Sequence, residues 1–319
     1  MLIRLFLAAV VLLVVVFAIA TLVFFRITHR VEGEYFDSNG VRLHYTVQGE
    51  GEPVVLLHGF AVNADLNWRL PGITQALAEE FRVIALDLRG HGLSDKPHDV
   101  RQYGMQMVHD VTRLLDHLQI GKAHVVGYSL GGLITIKLAT TYPERLLTAS
   151  PLGAGWERTD NSAFLRSLGE FERALKSGRG IGPLAGRLGS EREKPGLLHT
   201  GWVRFMTRYL NDGHALSAMV RGIPDLTVEE EALRTISVPV CGIVGSRDPL
   251  RVGVEALKGR VPDLRLVIVE GADHIRAPRR RELLEALRGF LRQQSSGKTS
   301  REIGVSVPRA IAPGVEGIG

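Results

Sequence analysis

Short apolar runs alternating with helical segments constrain this chain more than any other feature. The stretches "VVLL" (54–57), "RVIALD" (82–87) and "AHVVGY" (123–128) are of strand length and almost continuously apolar, as expected of strands buried on both faces. Between them, residues 73–80 read as a helix. Met107, Val108, Val111, Leu114, Leu115 and Leu118 recur at helical spacing as one apolar stripe. Residues 130–141 read as another helix, stopped by Pro143. Such alternation builds a parallel sheet with helices on both faces. Ahead of it, "VRLHYTVQG" (41–49) alternates as a strand, and residues 49–53 read as a turn.

The rhythm breaks over 154–234, where no buried strand appears. Phe164, Leu165, Leu168, Phe171 and Leu175 form an amphipathic helix there, followed by a Gly-rich stretch and further helix-like segments. Strands return with "VPVCGIVG" (238–245) and "LRLVIVEG" (264–271). A last helix carries Leu283, Leu284, Leu287, Phe290 and Leu291 on one face. The chain therefore divides into an N-terminal segment with its flanks (1–30), a first core part (31–153), a helical cap (154–234), a second core part (235–292) and a flexible tail (293–319). Two phosphate-loop look-alikes fail on context. "GRGIGPLAG" follows a helix rather than a strand, and "SGKTS" lies in the tail without its leading glycine.

Residues 5–25 form a run of 21 without a charge, in which only Thr21 is polar. A helix of that length spans the ~30 Å hydrocarbon core of a bilayer. A cleaved signal peptide is the alternative, with Ala18-Ile19-Ala20 as its cleavage site, giving a secreted protein. The apolar run, however, continues through Phe25. The expectation is an uncleaved single-pass transmembrane helix, with the catalytic body on the extracytoplasmic side (periplasmic in a bacterium). Arginines stand on both flanks, so the positive-inside rule does not decide the orientation.

The net charge of +5 is concentrated at the ends: residues 1–30 carry +3 and 293–319 carry +1, leaving about +1 for the body. This distribution argues against nucleic-acid binding. The single cysteine, Cys241, cannot form an internal disulfide, and no cluster has metal-ligand spacing, so neither metal nor cofactor is expected.

Ser129 stands in "GYSLGG", at the end of one expected strand and the start of one expected helix. A G-x-S-x-G pattern is weak by itself; at a strand-to-helix turn it places a hydroxyl at the sheet edge, above a helix N-terminus that favours negative charge. A serine needs a base, and the base needs an orienting acid. His274, in "EGADHIRAP", follows the last expected strand, and Asp248, in "GSRDPL", follows the one before. Asp273 is a weaker acid candidate, being adjacent to the histidine. The loop after the strand near 147–150 offers Ser150-Pro151 and no acid. Two N–H donors are needed for an oxyanion. Leu130, just after the serine, and Phe60, in "HGF" after "VVLL", are the candidates. His58 and Tyr128 are expected beside the substrate, His58 also shaping the loop. His91 is expected to hold that loop from below. Trp68, Phe164 and Phe171 read as core packing or pocket walls.

Together "LLHGF", "DLRGHGLSDKP", "GYSLGG", "GSRDPL" and "GADH" resemble the α/β-hydrolase superfamily, in its serine-nucleophile esterase, haloperoxidase-like and C–C hydrolase branch. The resemblance covers residues ~35–292, weakly over 154–234. It implies the α/β-hydrolase fold: a mostly parallel eight-stranded sheet with a helical cap inserted after the sixth strand. It also implies cleavage of a small-molecule carboxylic ester through an acyl-enzyme; the apolar run 5–25, separately, makes the bilayer the expected partner of the N-terminal helix. Alternatives in the superfamily are C–C bond hydrolysis, perhydrolysis, and thioester hydrolysis or acyl transfer. A catalytically silent membrane scaffold is the alternative of another class. Epoxide hydrolases and dehalogenases share the layout but carry Asp where this chain has Ser129.

Overall fold

The computed structural model describes residues 33–177, 179–182, 188 and 211–295, with residues 4, 7, 10–12, 14–19, 21 and 22 of the N-terminal run. Eight strands form one sheet: β1 (Glu34–Asp37), β2 (Arg42–Gln48), β3 (Glu52–Leu57), β4 (Phe81–Leu86), β5 (Ala123–Tyr128), β6 (Leu146–Leu152), β7 (Val240–Gly245) and β8 (Leu264–Val269). Their order is β1-β2-β4-β3-β5-β6-β7-β8. β1 and β2 run antiparallel to their neighbours, and every pairing from β4 through β8 is parallel.

The continuous apolar runs are explained by two cores, one on each face of the sheet. Along β3, Val55 and Leu57 enter one core with α2 (Met105–His117) and α3 (Leu130–Thr141). Val54 and Leu56 enter the other with α1 (Ile73–Leu77) and the terminal α8 (Arg281–Gln294). Alternate residues point to opposite faces, so a strand covered on both sides must be apolar throughout.

Two local expectations are corrected, and one strand is added. β1, "EYFD", escapes sequence reading because it is short and buries only Phe36 fully. The turn ends by Gly51, and Pro53 lies inside β3; pairing with β5 begins only at Val54, so the missing N–H is tolerated there. Ser150 and Pro151 are not a loop but part of β6; the β6–β7 ladder pairs Ala149 with Val240 and Leu152 with Ile243, and so skips Pro151. The residues that follow, Gly153, Ala154 and Gly155, still offer no acid.

After β6 come α4 (Ser162–Lys176), capped by Asn161 accepting the Ala163 and Phe164 N–H groups, and α5 (Gly213–Gly222), capped by Asp212. These two helices pack on each other. Much of the intervening stretch lies outside the described residues. α8 extends to Gln294, slightly past the expected start of the tail, and the tail from 296 lies outside them too. The apolar run 5–25 is also only partly described. Its described stretches 10–12, 14–19 and 21–22 are helical. Among the described residues no helix is long and apolar enough to cross a membrane.

Candidate active site

The expected nucleophile, acid and base and one expected oxyanion donor lie beyond the C-terminal ends of parallel strands: Ser129 after β5, Asp248 after β7, His274 after β8 and Phe60 after β3. This is the edge at which open α/β sheets bind ligands. Ser129 turns β5 into α3 with φ 54° and ψ −112°, a conformation that costs a non-glycine residue of order 1–3 kcal/mol. The turn is too tight for side chains at its flanking glycines. A Cβ on Gly127 would meet the Gly131 carbonyl oxygen at 2.0 Å, and one on Gly131 would meet the Leu57 carbonyl oxygen at 2.2 Å. Ser129 stands at the N-cap of α3 yet makes no capping hydrogen bond. Its hydroxyl, unlike that of most N-cap serines, is left available.

His274 Nδ1 lies 2.8 Å from Asp248 Oδ2, with both residues about 95% buried. Asp248 Oδ1 accepts the Leu250 N–H at 2.9 Å, which fixes the carboxylate. Asp273, the weaker candidate, instead accepts the Ile275 and Arg276 N–H groups of its own loop. The structure thus joins Asp248 to His274. Ser129 and His274 make no direct hydrogen bond here, but the residue before the serine links them: the Tyr128 hydroxyl donates to the His274 carbonyl oxygen at 2.5 Å.

His58 and Tyr128, expected against the substrate, are placed otherwise. Tyr128 is buried, with its hydroxyl committed to His274. Burial, and then the charges of Asp248 and Asp273, push its phenol well above the ordinary range, so it remains a donor. His58 is wholly buried. Its Nε2 accepts the Leu88 N–H at 3.0 Å and its Nδ1 donates to the Gly59 carbonyl at 2.7 Å. Both side chains hold the site rather than face a ligand.

The His58 contact has a consequence for Phe60. In a trans peptide the C=O and N–H point in opposite directions. Holding the Gly59 carbonyl therefore sets the direction of the Phe60 N–H. The flanking amides are engaged, Gly59 N–H to Asn67 Oδ1 and Ala61 N–H to His91 Nε2, each at 2.9 Å. The Phe60 and Leu130 N–H groups have no acceptor among the described residues. Two free amides at one sheet edge, one on the loop after β3 and one on the first residue of α3, can bind a developing oxyanion.

His91 does hold this loop, and Trp68 is core. Phe171 of α4, by contrast, meets the Phe60 ring at 4.9 Å edge-on. It also lines a cavity of about 410 Å³ with Leu168, Ala174, Pro249 and Leu250, the last two adjoining Asp248.

Burial lowers the pKa of His58, and lowers that of His91 further, below the ordinary 6.5. Each ring accepts an N–H at Nε2, so neither gains a proton without losing that bond. In the unfolded chain both protonate near the ordinary value. Below it the unfolded state binds more protons, and stability falls as pH falls. The thermal midpoint should therefore drop between about pH 7 and pH 5, less steeply in His91→Gln. A flat wild-type profile, or an equal slope in the variant, would contradict this assignment.

With the fold and its strand-end residues in view, the comparisons with known proteins are decisive. A family model described as the alpha/beta hydrolase fold matches residues 52–180. A thermophilic esterase from Thermogutta terrifontis superposes with a TM-score of 0.70 at 26% identity, over 84% of this chain and 100% of that one. This chain belongs to the α/β-hydrolase superfamily. Among curated relatives of this chain, the dihydrolipoyllysine-residue acetyltransferase component of the acetoin cleaving system of Pseudomonas putida is 30% identical over 238 residues. That match covers 72% of this chain and 61% of the relative. A soluble epoxide hydrolase of Corynebacterium sp. is 43% identical over 104 residues, 32% of this chain and 34% of the relative. The chain thus spans only part of the length of these relatives.

Proposed function

We propose that this α/β-hydrolase is a membrane-anchored serine hydrolase cleaving carboxylic esters or related acyl compounds. The observation that carries the reading is the buried His274–Asp248 pair at the same sheet edge as an uncapped serine at a positive-φ turn. In this reading Ser129 Oγ attacks the acyl carbon as His274 Nε2 takes its proton. Asp248 holds Nδ1–H, and so the tautomer that leaves Nε2 free to accept. The Phe60 and Leu130 amides bind the oxyanion. The protonated His274 then gives its proton to the leaving alcohol. Water, activated by the same histidine, releases the acid. The likeness to an esterase supports acyl chemistry. The epoxide-hydrolase likeness does not favour an alkyl-enzyme ester, because the elbow carries a hydroxyl rather than a carboxylate.

The division of labour follows: 31–153 and 235–292 supply the chemistry, and the cap at 154–234 supplies pocket wall through Phe171. The test is rapid mixing with a p-nitrophenyl ester of a short acid. A burst of p-nitrophenol equal to the enzyme, followed by steady release, supports an acyl-enzyme. An enzyme inert to such esters and thioesters sinks the reading.

The anchor rests on the apolar run 5–25. Full-length protein should remain with membranes through a carbonate wash, whereas a chain starting near Val31 should be soluble and hydrolyse a water-soluble ester at the full-length rate. Recovery of a shortened soluble protein beginning near Thr21 would mean a cleaved signal instead.

A further inference from the structure

Asn67 lies in a five-residue π-helical turn, Asp65–Arg69, within the loop between β3 and α1. Its Oδ1 accepts the Gly59 N–H at 2.9 Å, which assigns the carbonyl oxygen to that end of the amide. Its Nδ2 is buried and has no hydrogen-bond partner among the described residues. A buried donor left unmade costs about 1–3 kcal/mol, so the side chain is a poor choice for stability alone. Aspartate would accept the same N–H without an orphaned donor. It would, however, place a negative charge beside the point where the substrate oxygen becomes negative. Gly59 is also the contact between this amide and the nucleophile: a Cβ built on it would lie 3.3 Å from Ser129 Cβ and 3.5 Å from Asn67 Oδ1.

We propose that Asn67 is a positioning residue for the oxyanion pocket, acting through Gly59 to hold the Gly59–Phe60 peptide in register with Ser129. Asn67 fixes the N–H on one side of Gly59 while His58 fixes its C=O on the other. The Phe60 N–H is thereby aimed before substrate arrives, and no reorganisation is needed as charge develops. The inference rests on the oxyanion role proposed above for Phe60.

The test measures kcat, KM, thermal midpoint and affinity for an alkyl trifluoromethyl ketone, which forms a charged tetrahedral adduct with an active-site serine. Asn67→Ala should lower kcat about 10- to 100-fold, with KM changed less than about threefold and a thermal midpoint close to wild type, because the orphaned Nδ2 is removed as the Gly59 N–H loses its acceptor. Ketone affinity should fall in parallel with kcat/KM. Asn67→Asp keeps the Gly59 acceptor and should lose more kcat. Its rate relative to wild type should recover as pH falls and the introduced carboxylate takes up a proton. Wild-type kcat in both variants overturns the proposal, as does unchanged ketone affinity, or a loss of kcat tracking a loss of stability with no pH-dependent recovery in Asn67→Asp. If wild-type protein neither turns over esters nor binds the ketone, the function reading has failed, and the Asn67 role fails with it.

Discussion

Ser129→Ala should lower ester turnover by about four to six orders of magnitude and leave the fold intact. The expected loss is large because the proposed nucleophile, base and acid act as one unit. Without the hydroxyl, the His274–Asp248 pair has nothing to deprotonate. Stability should not fall, since Ser129 makes no capping bond that alanine would remove, and alanine meets the same backbone strain at φ 54°. Ser129→Gly separates strain from chemistry: it should be equally inactive and about 1 kcal/mol more stable. Near-native turnover in folded Ser129→Ala would remove Ser129 from the mechanism. A destabilised Ser129→Gly would remove the strain argument.

The second large effect concerns stability. Arg89, in the loop after β4, and Asp110 on α2 are both fully buried. They form a two-pronged pair, Nε to Oδ2 at 2.7 Å and Nη2 to Oδ1 at 2.5 Å. The Ser38 hydroxyl donates to the same carboxylate, and Arg89 Nη1 donates to the Gln102 carbonyl. Asp110→Ala would strand a buried guanidinium and should cost about 3–5 kcal/mol. Arg89→Met with Asp110→Leu removes both charges and should regain most of that loss. Urea unfolding of the single and double variants measures both. A single-variant cost under about 1 kcal/mol would show that water reaches the pair. Because the Arg89 loop also carries His91, whose Nε2 holds the Ala61 N–H, Asp110→Ala should weaken catalysis as well as folding.

What the sequence discloses depends on how local its cause is. The doubly buried strands are legible because two covered faces demand apolar residues at every position, as in "VVLL" and "AHVVGY". Ser129 is legible because it directly follows such a strand and because Gly127 and Gly131 have backbone where a side chain would go; Asp248 and His274 are legible because each lies in the short loop after an apolar run, β7 or β8. β1 is not legible, because pairing with β2 defines it and "EYFD" has little pattern of its own. The positions of His58 and Tyr128 are legible but their direction is not. The groups that turn them inward, the Leu88 N–H and the His274 carbonyl, are distant in sequence. Asn67 carries no sequence signal: its contact with Gly59 exists only once the loop is wound into a π-helical turn.

The claim on which the rest depends is that Ser129 forms a covalent acyl intermediate with His274 as its base. Phosphonylation by an alkyl fluorophosphonate, followed by peptide mass spectrometry, tests it most directly. One adduct per chain is expected, on the peptide carrying Ser129, formed quickly by wild type, at least about 10³-fold more slowly by His274→Ala and not at all by Ser129→Ala. A label on another residue, or one indifferent to His274, would contradict it.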